Sequence, residues 1–194
     1  MIGRFVKFFA AGLIALPATV LASVLQFNVL LNATNEVSSP HALNLGASGI
    51  GTLFYDTVSN TYDLTVAASG LSSAVTGQHI HAQATTSQNS GVIVHLTAPN
   101  GFDSGTLGAT YFIGGVDRPS PGTIAAGNGH PAQSFLAVLQ SGLAYINIHT
   151  TLRGSGEIRG QLVPVTAVPE PETYALLLAG LAVVGFAARR RRSV

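Results

Sequence analysis

The sequence predicts one all-β domain over residues 25–165, folded as a single β-sandwich or flattened barrel. This part of the chain is rich in glycine, serine, threonine and valine, and it is poor in lysine and glutamate. Turn residues recur about every ten positions, a spacing that is typical of short strands. Apolar and polar residues alternate in several segments, as they do along a strand with one buried face. Many short strands in one domain favour a sandwich or a barrel.

The expected strands lie in eight segments of this domain. Two of them, 49–56 and 62–68, flank residues 57–61 and are expected to form a hairpin. The other six are 26–33, 78–84, 92–98, 106–113, 144–151 and 157–163. One short helix is expected within 131–140, because Phe135, Leu136 and Leu139 have helical spacing.

Three of these strands carry a dense polar face. Side chains alternate along a strand, so each strand has one apolar and one polar side. The side chains predicted to face inward are Ile80, Ile146, Ile148, Ile158 and Leu162. The side chains predicted to face outward are His79, His81, Gln83, Tyr145, Asn147, His149, Glu157, Arg159 and Gln161.

The polar side of the first strand contains two histidines, His79 and His81, separated by one isoleucine. Their Cβ atoms are expected about 6.5 to 7 Å apart, which lets both imidazoles reach one ion at about 2.0 to 2.1 Å. His149 is the best third donor, and neutral imidazole suits zinc or copper. Two alternatives stay open, namely acid–base catalysis and a hydrogen-bonded polar face in which the imidazoles contact Asn147, Glu157 or Arg159.

Other residues give weaker signals. His95 is expected to be structural, and Glu157 with Arg159 is expected to form an ion pair or a cross-strand contact. No G-x-S-x-G sequence occurs, and the six acidic residues of the domain are scattered over different elements. The sequence therefore favours a non-enzymatic protein and predicts no catalytic residue.

The charge of the domain argues against nucleic acid as a partner. The whole chain has a formal charge of +1, but residues 25–165 contain six acidic residues and three arginines. A basic surface, which nucleic acid would need, is therefore not expected. The chain has no cysteine, as suits a domain that folds outside the cytoplasm without disulfides.

The N-terminus predicts a secretory signal peptide over residues 1–22. Arg4 and Lys7 precede an apolar run at 8–16, Pro17 follows, and Ala22 ends a stretch that a signal peptidase recognises. We therefore expect export across the inner membrane.

The C-terminus, residues 168–194, combines three features in a fixed order. An acidic, proline-containing motif is followed by an apolar segment at 174–188, expected to be a transmembrane helix, and then by arginines. The motif residues are Val168, Pro169, Glu170 and Pro171, and the arginines are Arg189, Arg190, Arg191 and Arg192. Fifteen helical residues cover about 22 Å, and flanking arginines compensate for the thicker bilayer core. The arginines are expected on the cytoplasmic side of the inner membrane.

This segment resembles the PEP-CTERM sorting signal. The resemblance implies recognition by an exosortase, a membrane protease of the transpeptidase kind, and removal of the arginine tail. It also implies a Gram-negative bacterium with an exopolysaccharide matrix. The expected location is a transient membrane anchor, followed by the cell surface or the extracellular matrix.

The domain itself resembles the CHRD domain, which is named after chordin. The residues that carry the resemblance are HIHAQ at 79–83, VIVHL at 92–96 and GLAYINIHTTLRGSGEIRGQL at 142–162. It implies a secreted β domain, usually without assigned enzymatic activity, that acts as a binding or structural module. Residues 151–156 fill a gap where family members often have proline or a shorter linker, so this turn is expected to differ.

Two functions follow from these resemblances and from the histidines. The first is an exported surface or matrix protein whose domain binds an exopolysaccharide or a surface protein. The second is a histidine-based zinc or copper domain. Its H-x-H pair is similar to that of copper and zinc superoxide dismutases, which are also β-sandwiches.

Overall fold

The structure of the protein is a computed structural model that describes residues 24–37, 44–107, 109–165, 178–182, 184 and 189. The expected signal peptide, the motif residues 168–171 and Arg190 to Arg192 lie outside the described residues. Within the expected membrane helix, 178–182 and 184 are described, and they are helical. No helix in the described ranges is long and apolar enough to cross a membrane.

The domain is built from eleven strands and one α-helix. The strands are β1 (Val24–Asn32), β2 (Ser48–Asp56), β3 (Thr61–Ser69), β4 (Val75–Ala82), β5 (Val92–His95), β6 (Asp103–Leu107), β7 (Thr110–Pro119), β8 (Thr123–Ile124), β9 (Gln133–Ser134), β10 (Ala144–Thr150) and β11 (Arg153–Pro164). The helix is α1 (Phe135–Gln140), and short 3-10 turns occupy Ala33–Asn35 and Ala98–Asn100.

Nine strands form one antiparallel sheet in the order β5-β4-β10-β11-β1-β2-β3-β7-β6, and β8 pairs with β9. The prediction of an all-β domain is confirmed. The strands do not divide into two separately bonded large sheets, because the nine-stranded sheet is continuous and curls into a half-barrel. Gln78 of β4 donates to Ser104 Oγ of β6 at 3.2 Å, so strands from opposite ends of the sheet approach each other.

The expected strand 106–113 is wrong as a single element. In the structure it contains the end of β6 at Leu107 and the start of β7 at Thr110, which pair as a hairpin. Gly108 in the sequence was the available turn signal. The expected hairpin at 57–61 is confirmed, since β2 and β3 pair along their whole length.

The predicted inner faces of β4, β10 and β11 are confirmed. Ile80, Ile146, Ile148, Ile158 and Leu162 are fully buried in one core. The helix α1 begins after Ser134, whose Oγ accepts from Ala137 N at 3.2 Å. Its first residue, Phe135, packs on the aromatic rings of Tyr62 and Tyr55 in that core.

The predicted exposure of the polar face is wrong. Tyr145, Asn147, Glu157 and Arg159 are all buried, with at most 4% of each residue exposed. Two chain segments cover this face, residues 32–37 and residues 84–91. Arg159 donates to Thr85 O and Asn89 Oδ1 of the second segment, and its carbonyl accepts from Asn35 of the first. The sheet therefore has a second, polar buried layer beside the apolar core.

We predict that Ile148→Asp destabilises the domain by several kcal/mol, since a charge without a partner would be buried in the core. The matched control is Ile50→Asp, because Ile50 of β2 is 66% exposed and should cost less than about 1 kcal/mol. Urea denaturation of both purified variants checks the prediction. Equal midpoints for the two variants would contradict the assignment of the inner face.

Candidate metal centre

Three histidines from two paired strands meet at the polar face. His79 and His81 belong to β4, and His149 belongs to β10. The antiparallel register places Asn147 opposite His79, Tyr145 opposite His81 and Gly77 opposite His149. One ring nitrogen from each histidine lies within 4.8 Å of the other two. The sequence-predicted trio is thus brought together in space.

Gly77 provides the room for this arrangement. A Cβ atom at this position would lie 3.0 Å from His79 Cε1 and 3.6 Å from His149 Cδ2. Contacts as short as 3.0 Å require the neighbouring ring to shift. The absent side chain therefore lets the His79 ring lie beside His149.

Two of the imidazoles have their orientation fixed by backbone carbonyls. His81 Nδ1 is 2.9 Å from Ser90 O, and His149 Nδ1 is 3.0 Å from Gly154 O. A carbonyl oxygen only accepts, so each Nδ1 carries the hydrogen and each Nε2 keeps its lone pair. A carbonyl partner on the far ring nitrogen is the usual arrangement around a metal-binding histidine.

Three of the four remaining ring nitrogens are buried without partners. His81 Nε2, His149 Nε2 and His79 Nδ1 each have essentially no accessible surface and no hydrogen bond. A buried polar atom without a partner costs about 1 to 3 kcal/mol. The cluster therefore contains three nitrogens that are available to a ligand.

The ring spacing fits a shared ion. The ring centres are 5.0 Å apart for His79 and His149, 5.6 Å for His79 and His81, and 6.3 Å for His81 and His149. An imidazole that binds zinc at about 2.0 to 2.1 Å has its centre about 3.2 Å from the ion, so two ligands at a tetrahedral angle have centres about 5 Å apart. Two of the three spacings are close to this value, whereas the rings of His81 and His149 would have to turn toward each other to share an ion.

The environment keeps these imidazoles neutral. Burial, together with the neighbouring His149, His81 and His95, lowers the pKa of His79 to about 4. Burial also lowers the pKa of His81 and that of His149, although each donates a hydrogen bond that acts in the opposite direction. Neutral imidazole is the form that binds metal, so the trio is ready for a metal at neutral pH.

His81 is held in a stack of three side chains. Its ring is parallel to that of Tyr145, with 4.7 Å between the ring centres and 2° between the planes. The guanidinium carbon of Arg159 lies 3.5 Å from the centre of the Tyr145 ring. Because one face of Tyr145 is occupied by His81, Arg159 covers the other. Ser90 joins this unit, since its N–H donates to Tyr145 Oη at 3.1 Å and its carbonyl accepts from His81.

One alternative was a polar face in which the imidazoles contact Asn147, Glu157 or Arg159. Their described hydrogen bonds go to the carbonyls of Ser90 and Gly154, and none goes to Asn147, Glu157 or Arg159. Glu157 lies 3.8 Å from Arg153 and accepts from the side chains of Thr150, Ser72 and Asn44. The expected pair of Glu157 with Arg159 is therefore replaced by separate sets of contacts.

Two residues near the trio were missed. His95 was expected to be structural, yet it lies directly opposite His79 on β5, with 4.8 Å between the ring centres. Glu36 follows the 3-10 turn Ala33–Asn35 and contacts Asn147, whose Nδ2 donates to Glu36 Oε2 at 3.4 Å. The other carboxylate oxygen, Glu36 Oε1, and Asn147 Oδ1 are buried without partners. The contact of His95 with His79 depends on strand pairing, and the contact of Glu36 with Asn147 depends on the position of a loop. A local sequence pattern predicts neither.

Burial raises the pKa of Glu36 to about 7, although the charge of Arg159 and the hydrogen bond from Asn147 oppose the shift. Glu157 behaves differently. Burial acts to raise its pKa, but hydrogen bonds from Thr150, Asn44 and Ser72 outweigh burial and hold the pKa below its usual value. The polar layer therefore contains one carboxyl group that resists ionisation and one that is stabilised as an anion.

The fold and the site define an all-β domain with a cluster of three histidines on a partly buried polar face. The family model of the CHRD domain matches residues 27–162, and the chain belongs to this family. The model of the PEP-CTERM protein-sorting motif matches residues 167–192. This motif indicates an exported protein whose sorting depends on an exosortase. Neither a curated protein nor a solved structure gives a match to the chain.

We predict that Glu36→Gln stabilises the metal-free domain at pH 8.5 by on the order of 1 kcal/mol, after allowance for solvent screening. The folded-state pKa of Glu36 is about 7 and the ordinary value is 4.5, so the wild type loses stability as pH rises through this interval. The neutral amide has no such loss, and the gain should vanish near pH 4.5. Denaturant unfolding at several pH values measures the difference.

The matched control for this prediction is Glu157→Gln. Its lowered pKa means that the Glu157 anion contributes stability above its ordinary pKa, so the amide should destabilise the domain at pH 8.5. Destabilisation by both variants at pH 8.5 would contradict the assignment of Glu36.

Proposed function

We propose that the protein is an exported, exosortase-sorted surface or extracellular-matrix protein whose CHRD domain binds zinc or copper through His79, His81 and His149. The observation that carries the proposal is the cluster of three buried ring nitrogens without hydrogen-bond partners. A hydrogen-bonded polar face would use these atoms in hydrogen bonds. The metal hypothesis is a specific form of the binding module that the family resemblance implies.

The donor set supports the choice of zinc or copper. All three donors are neutral imidazoles, and the chain has no cysteine that would favour a thiolate site. Imidazole suits zinc and copper, whereas calcium and magnesium prefer oxygen ligands. Glu36 and Glu157 are not members of the cluster of potential ligands.

The residues around the trio support it as a preorganised centre. Ser90 and Gly154 fix the two Nδ1 atoms, and Tyr145 restrains the plane of the His81 ring. Ligands that are already oriented lose less conformational freedom when an ion binds. A bound zinc ion would supply Lewis acidity or a structural cross-link, and a bound copper ion would also supply redox chemistry.

The proposed metal centre would be located outside the cytoplasm, because the protein is exported. The sorting motif indicates transient anchoring in the membrane before the protein reaches the cell surface. A domain without cysteines has no disulfide to stabilise it, and a bound ion would add to its stability.

We predict that the purified protein binds one zinc or copper ion and that His79→Ala weakens binding by at least about tenfold, because it removes one histidine of the trio. Isothermal titration calorimetry with each metal measures both. The matched control is His130→Ala, since His130 lies in a β-bridge with Gly127, outside the cluster. Absence of binding by the wild type, or equal binding by the His79→Ala variant, would contradict the proposal.

We predict that the mature protein lacks the arginine tail. Mass spectrometry of protein from the native host should find peptides up to Thr166 and none that contains Arg189 to Arg192. A host strain without exosortase is the control and should retain the tail. Abundant surface protein that keeps the arginines in the normal host would contradict removal of the sorting segment.

A further inference from the structure

We propose that His95 is a fourth ligand of the same centre, so that a bound metal is fully coordinated by protein and fastens the edge strand β5 to the sheet. This inference rests on the proposed function of His79, His81 and His149. It adds a ligand from a third strand, and it changes the kind of centre from one with an open position to a closed one.

The position of His95 follows from strand pairing. It is the last residue of β5 and the direct partner of His79 in β4. Directly opposed residues of antiparallel strands project from the same face, with Cβ atoms about 4.5 to 5.5 Å apart. The ring centres of His79 and His95 are 4.8 Å apart, closer than those of His79 with His149 or with His81. This distance is near the spacing of about 5 Å that two imidazoles take around one ion.

His95 differs from the other three histidines in its exposure and in its hydrogen bonds. It is exposed, and among the described hydrogen bonds none uses its ring. One ring nitrogen each of His79, His81 and His149 lies within 4.8 Å of the other two, and His95 does not belong to this group. The His95 ring therefore has to turn about its side-chain bonds to reach an ion held by the trio.

Metal binding by His95 would affect the edge strand β5. This strand has four residues, pairs only with β4, and ends the sheet. Its pairing with β4 is irregular between Ile80 and His81. Short edge strands with few bonds are among the first parts of a sheet to open. An ion bound by His95, by two residues of β4 and by His149 of β10 would cross-link three adjacent strands.

The consequence for chemistry follows from the ligand count. Four protein ligands complete a tetrahedral shell, as in structural zinc sites, whereas catalytic zinc sites keep a position for water or substrate. With His95 bound, the centre holds its ion and offers no open position. The domain then acts as a metal-stabilised or metal-holding module, in agreement with a non-enzymatic protein.

The test uses the purified protein with zinc, and with cobalt(II) as a spectroscopic probe, in the wild type and in His95→Ala and His130→Ala variants. We expect four imidazole ligands in the wild type by X-ray absorption. In His95→Ala we expect three imidazoles and zinc binding weaker by about tenfold or more. Added imidazole should restore the four-coordinate cobalt spectrum of His95→Ala, which also shows that the variant is folded. His130→Ala should match the wild type.

A second readout concerns β5 itself. Zinc should slow hydrogen exchange at the amides of β5 in the wild type and should leave them unchanged in His95→Ala. Equal zinc affinity and ligand number in the wild type and His95→Ala would overturn the role of His95 and leave the three-histidine centre in place. Absence of zinc, copper and cobalt binding in the wild type would overturn both proposals.

Discussion

The register between β4 and β10 is the constraint on which the candidate centre depends. It sets His149 opposite Gly77 and His79 opposite Asn147, and the hydrogen bonds of the pair fix that alignment. A shift of one residue would turn Ile80 and Ile148 out of the core and would move the histidines to the apolar side. The core therefore specifies where the three histidines lie, because the same register has to satisfy both faces of the strands.

The second organising feature is the buried polar layer, which lies on the same face of the sheet as the histidines. Arg159 is its centre, with contacts to Tyr145, Thr85, Asn89 and Gln161. A buried guanidinium needs such partners, since an unpaired charge away from water is costly. Segment 84–91 supplies two of these contacts, from Thr85 and Asn89, and Ser90 of the same segment accepts a hydrogen bond from His81. The buried arginine and the orientation of the His81 ring therefore depend on one segment.

The sequence predicts the inner face and the histidine trio because both depend on the two-residue period of a strand. Ile146 and Ile148 are buried where the alternation places them, and His149 follows on the other face. The polar face was expected to be exposed, since alternation reports sidedness but cannot report what covers a side. His95 and Glu36 reach the site through strand order and loop position, which are set by contacts between residues far apart in the chain.

The residue at position 77 can be used to compare related domains with this one. A Cβ atom at this position would lie 3.0 Å from the His79 ring, so the ring would have to move by a few tenths of an ångström, and a larger side chain would displace it further. A related domain with valine or a larger residue there is therefore compatible with the same fold but not with the same ring placement. A related domain with glycine at this position and with the three histidines could hold its imidazoles in the same way. A related domain with a large residue there would share the fold without that arrangement of rings.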